Sequence, residues 1–120
     1  MNSHFGSRLL DEAGDWVDQV SRKNSVSGIS PTAGQMARIA GLAQASKIYR
    51  SQKKLQSGKW KKFSDKGNEV VFGTIGDAST SEGVFWETMN TLGVLQAPAV
   101  ISVWDDGYGI SVPKKFQTTK

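Results

Sequence analysis

Cysteine is absent from the 120 residues, which excludes a disulfide framework and a thiolate metal site. No apolar run approaches the length of a membrane span, and no hydrophobic signal region follows Met1. The expectation is therefore a cytoplasmic protein with no membrane partner. Hydrophobic residues are also scarce, at 38%. That is little for a parallel sheet, which needs helices on both faces. The length suits one small domain and falls short of a typical two-domain enzyme.

The net charge of +4 is a local feature. Seven bases and one acid lie between Arg50 and Lys66, giving that stretch +6 and the remainder −2. Trp60 and Phe63 are interleaved with its lysines. Such a stretch can be a nucleic-acid patch, a surface facing an acidic partner subunit, or a solvated helix end with a connecting loop. No nucleic-acid motif accompanies the charge, so the connecting loop is the reading adopted and no nucleic-acid partner is expected.

Residues 1–29 have no clean period and form a loop-rich lead-in. Asp11 to Asp15 suggest a loop, and Trp16, Val17 and Val20 a single apolar turn or short strand. His4, the one histidine, is read as a loop or packing residue. Ser30-Pro31 is a good helix start, since serine caps and proline suits the first helical position. The helix is expected to run to about Ser51, with a stripe of Met36, Ile39, Ala40, Ala43, Ala45 and Ile48.

Two apolar runs follow. Glu69 to Ile75 and Ala99 to Trp104 are expected to be short buried strands. Between them Ser79 and Glu82 have the spacing of a capping box, which would start a helix right after Gly76-Asp77-Ala78. Phe85, Met89, Leu92 and Leu95 form its apolar face, and Gln96-Ala97-Pro98 stops it. The pattern is α/β: a partial parallel sheet with flanking helices. Asp77 and Asp106 then follow the carboxyl ends of the two strands, 29 positions apart in sequence. Parallel strands with a right-handed crossover place both ends on one edge, where ligands of open α/β sheets bind. Two carboxylates beside glycine-rich turns suit a hard divalent cation holding phosphate.

The stretch Gly76 to Ser111 resembles the thiamine diphosphate motif: Gly-Asp-Gly or Gly-Asp-Ala, about thirty residues, then Asn-Asn. More narrowly, it is similar to the α part of the thiamine diphosphate-dependent dehydrogenase component of 2-oxo acid dehydrogenase complexes, of the branched-chain (2-oxoisovalerate) and pyruvate type. The residues that carry the likeness are Gly76-Asp77-Ala78, Ser81-Glu82-Gly83, Glu87 with Asn90, Pro98, and Gly107-Tyr108-Gly109-Ile110-Ser111. The resemblance covers most of Ser30 to Ser111, so residues 30–120 would be a partial thiamine diphosphate-binding domain. It implies an internal fragment of an α part or a fused α–β chain.

The resemblance implies further that Gly76, Asp77, Ala78, Ser30 and Thr32 meet the cofactor. Asp77, Asp106 and the Tyr108 carbonyl would ligate Mg²⁺. Pro31, Gly34 and Gln35 belong to the same cofactor-facing segment, which in branched-chain members also holds a monovalent cation. Thr32 and Gly34 depart from the residues usual there. Asp105 and Asp106 stand where the family has asparagines, and Trp104 where branched-chain relatives carry an arginine that touches the diphosphate. Glu82, Glu87 and Asn90 are explained by capping and helix packing alone. In this family a 2-oxo acid is decarboxylated and its acyl group passes to a lipoyl acyltransferase partner. The glutamate that activates the cofactor belongs to the β part, so no catalytic residue is assigned here. A homo- or hetero-oligomer is implied. The alternatives are another thiamine enzyme, transketolase-like, or a non-enzymatic basic binding module.

Overall fold

A computed structural model describes residues 5–118, and His4 lies outside them. Helix α1 spans Gln35–Ser51, strand β1 Val71–Gly76, helix α2 Gly83–Leu95 and strand β2 Ala99–Trp104. A small hairpin follows, β3 at Tyr108–Gly109 and β4 at Val112–Pro113. β1 and β2 pair in parallel, from Val71 opposite Ala99 to Gly76 opposite Trp104. The expected α/β architecture is present.

Side chains alternate across a strand, so Val71, Gly73 and Ile75 share a face with Ala99 and Ile101. Both helices cover that face. Met36, Ile39 and Ala43 of α1 and Phe85 and Leu92 of α2 close over Ile75 to make the core. Gly73 is what lets α1 come so near, because a Cβ there would overlap the end of the Ile39 side chain. Lys47 of α1 donates to the Leu95 carbonyl at the end of α2, tying the two helices at a terminus with unpaired acceptors. Gln96 then takes the left-handed conformation and Ala97 N–H bonds the Leu92 carbonyl at 3.0 Å. The helix therefore ends where Gln96-Ala97-Pro98 was expected to stop it.

The other sheet face is open. Phe72, Val100 and Trp104 are 67, 50 and 69% exposed. The expectation of two strands buried on both faces is thus corrected. Their unbroken apolar runs are suited to cover on both sides, but the chain folds helices onto one side only.

Three further expectations are corrected. α1 does not begin at Ser30-Pro31. Ala33 is buried with φ of 59°, and Gly34 N–H closes a turn onto the Pro31 carbonyl at 3.0 Å, so regular helix starts only at Gln35. The α1 stripe is Met36, Ile39, Ala43 and Ser46, while Ile48 is exposed. In α2 the buried face is Phe85, Thr88 and Leu92, and Met89 turns outward.

Residues 5–29 carry one isolated bridge, Leu10 to Trp16. The Trp16 ring meets Phe63 edge-on at 5.1 Å, and Lys62 Nζ donates to the Trp16 carbonyl at 3.0 Å. The lead-in therefore packs on the basic stretch, which consists of two short 3₁₀ turns, Lys53–Gln56 and Gly58–Lys62. No helix among the described residues is long and apolar enough to cross a membrane.

Candidate functional site

The parallel pairing continues one step beyond the strands. Asp77 N–H donates to the Trp104 carbonyl at 3.1 Å, so the loops after β1 and β2 leave the sheet side by side. They enclose a cleft of about 670 Å³ at the carboxyl edge of the sheet. Gly76, Asp77, Ala78, Asp106, Tyr108 and Thr32 all line it, together with Gln35 from the start of α1. Ser30 is exposed and stands outside this lining, as do Glu87 and Asn90 on α2.

The loop after β1 is not the capping box expected from Ser79 and Glu82. Residues Ala78–Ser81 form a 3₁₀ turn, Glu82 is the residue before α2, and no side chain caps the helix. The reason is local. Thr80 Oγ1 donates to the Asp77 carbonyl at 2.6 Å and Ser81 Oγ to the Ala78 carbonyl at 2.8 Å. These hydroxyls bond backward to carbonyls three residues earlier, which favours a tight turn over a helical start. The turn fixes Asp77 with its side chain in the cleft wall.

Asp77 is 5% exposed, and its Oδ2 has no hydrogen-bond partner. A buried carboxylate oxygen left unpaired costs free energy unless something charged meets it. The loop after β2 is held differently. Asp105 Oδ1 accepts from Gly107 N–H at 3.0 Å, and Asp106 Oδ1 from Tyr108 N–H at 3.1 Å. Asp105 Oδ2 also ion-pairs with Lys114, and that ammonium holds the Asp105 carboxyl below the usual carboxylate range. Lys114 is in turn held above the usual lysine range by Asp105.

The hairpin directs Tyr108. Lys114 N–H donates to the Gly107 carbonyl at 2.8 Å, and Gly109 pairs with Val112. Tyr108 stands opposite Pro113. The ladder bond at Gly107–Lys114 makes Tyr108–Pro113 a non-hydrogen-bonded pair, so the Tyr108 carbonyl points away from the partner strand and stays available. Gly109 then brings the hairpin against the first loop: a Cβ there would lie 2.5 Å from Ala78 Cβ and 2.5 Å from the Gln117 amide. Ile110, at the hairpin turn, has φ of 58° and is fully exposed on the lip of the cleft.

A divalent cation fits these residues. The orphaned Asp77 oxygen, the Asp106 carboxylate and the open Tyr108 carbonyl are hard oxygen donors of the type Mg²⁺ takes. No group of three or more His, Cys, Asp or Glu side chains capable of holding a metal occurs among the described residues. The shell would therefore be completed by phosphate and water oxygens. Gln117 and the Asp105–Lys114 pair went unforeseen in the sequence. Their proximity depends on the hairpin folding back, for which the only signal was Gly107-Tyr108-Gly109.

Fold and cleft together define a parallel α/β protein with a cleft lined by oxygen-bearing side chains at the carboxyl edge of its sheet. The dehydrogenase E1 component family matches residues 6–120, nearly the whole chain, and the chain belongs to that family. It is thus an E1 component of the 2-oxo acid dehydrogenase class, a family generally dependent on thiamine diphosphate. No match is found among curated proteins.

Proposed function

We propose that the cleft binds the diphosphate end of thiamine diphosphate together with Mg²⁺. The observation that carries this is the buried, unpartnered carboxylate oxygen of Asp77 in the cleft wall. Asp77, Asp106 and the Tyr108 carbonyl would hold the metal. Gly76, Ala78 and Thr32 would lie along the diphosphate, where Gly76 offers open space in place of a side chain. Ser30 belongs to the same segment as Thr32 and would support it from outside the lining.

Thiamine diphosphate, when bound, supplies the carbanion chemistry that lets a 2-oxo acid lose carbon dioxide. The part of this chain is to bind, orient and neutralise. Asp77 and Asp106 anchor the charged end, and the 3₁₀ turn and hairpin fix the distance between the two loops. None of its residues is assigned the proton transfers. Those would come from a β part that completes the active site. The substrate would be 2-oxoisovalerate or pyruvate, as in α-type branched-chain or pyruvate members. The acyl group would then pass to a lipoyl acyltransferase, in a cytoplasmic homo- or hetero-oligomer.

The test is release of carbon dioxide from 2-oxoisovalerate and from pyruvate. The expected result is turnover by the chain assembled with its β part and none by these 120 residues alone. Turnover by the chain alone would contradict the half-site reading.

A further inference from the structure

The loop after β2 carries one carboxylate more than a cation site there requires. Asp77, Glu82 and Asp106 line the cleft, yet Asp105 adds a further negative charge next to them. A diphosphate would be repelled by it. Trp104, the neighbouring residue that lines the cleft, offers no positive charge in return.

We propose that Lys114 is the built-in counter-charge of this site, cancelling Asp105 so that it adds nothing to the negative charge of the cleft's own carboxylates. The inference rests on the diphosphate reading above. Its geometry is independent of that reading. Lys114 follows β4 directly, its N–H closes the hairpin on Gly107 at 2.8 Å, and its ammonium ion-pairs with Asp105 Oδ2. Asp105 uses its other oxygen to accept from Gly107 N–H. The hairpin that opens the Tyr108 carbonyl is thus the device that delivers the ammonium. Asp105 with Lys114 sums to zero, so the carboxylates that line the cleft, Asp77, Glu82 and Asp106, are left to the cation and its ligands.

Lys114 acts through Asp105. It does not line the cleft, and both partners of the pair are nearly half exposed. Exposed ion pairs contribute little to stability. What the pair sets is the potential in the cleft.

The sign of the effect separates this role from a merely structural one. Removing Lys114 leaves the cleft more negative, so it should hold Mg²⁺ alone more tightly and diphosphate less tightly. Asp105→Asn keeps the oxygen that accepts from Gly107 and removes the charge that Lys114 cancels.

The experiment is calorimetric titration of the dehydrogenase component in its native assembly, with Mg²⁺ alone and with thiamine diphosphate at saturating Mg²⁺. Lys114→Met should weaken thiamine diphosphate by about three- to tenfold, the size of one partly screened charge. It should leave Mg²⁺ affinity unchanged or higher. Lys114→Arg should keep wild-type affinity, and the double variant Asp105→Asn, Lys114→Met should regain it. An unaltered Lys114→Met, or a double variant that stays weak, would overturn the inference while the cofactor reading stands. Silence of the wild-type assembly toward thiamine diphosphate would overturn both.

Discussion

Asp77 is the residue on which the site turns. It is buried, its Oδ2 lacks a partner, and it is placed by a backbone bond to Trp104 at 3.1 Å. Such an arrangement is unfavourable for the fold and favourable for a cation. Asp77→Asn should therefore leave the ligand-free chain as stable as wild type or about 1 kcal/mol more stable, because the buried charge is gone. The same variant should lose any rise in melting temperature that Mg²⁺ with thiamine diphosphate gives wild type. Thermal unfolding with and without the pair checks both. The placement of Asp77 at the carboxyl end of β1 was legible in Gly76-Asp77-Ala78 after an apolar run. What the sequence left open was the partner set. Two adjacent aspartates at 105 and 106 look equivalent in sequence. They separate only in the fold, where Asp105 turns to Lys114 and Asp106 to Tyr108.

The elements that shape the cleft are two short, irregular ones: the 3₁₀ turn Ala78–Ser81 and the hairpin β3–β4. Gly109 joins them by passing against Ala78. Its φ is unexceptional, so only space demands glycine. Gly109→Ala should push the hairpin off the first loop, at a cost of about 1–3 kcal/mol for overpacking. The same shift should weaken Mg²⁺-dependent binding at least tenfold. Calorimetry on the variant would show it, and wild-type affinity would contradict the contact. Regular elements were readable from pattern: β2 falls at Ala99–Trp104 as its apolar run indicates, and α2 stops at Gln96. The boundaries that moved did so where local bonds competed. At Ser79 to Glu82 backward-bonding hydroxyls replaced the capping box. At Ala33 a left-handed residue delayed α1.

Taken whole, the molecule is thin and spread, 52 × 34 × 18 Å with a radius of gyration of 16.6 Å. A compact domain of this length would have a radius near ~14 Å. The difference comes from a sheet of two strands with helices on one face, and from a lead-in that packs on the basic stretch. Phe72, Val100 and Trp104 stay exposed on the other face. The scarcity of hydrophobic residues anticipated this shortage of cover. It could not say which face would be left open, because both strands read as apolar throughout. The open face and the cleft adjoin at Trp104, so whatever covers one can also complete the other.

The most direct test of the account is calorimetric titration of thiamine diphosphate into the protein with and without Mg²⁺, beside Asp77→Ala. The prediction is binding that requires Mg²⁺ and that Asp77→Ala abolishes, in the chain itself or in its native assembly. Absence of binding in the native assembly, or binding indifferent to Mg²⁺ and to Asp77, would contradict the assignment of the cleft.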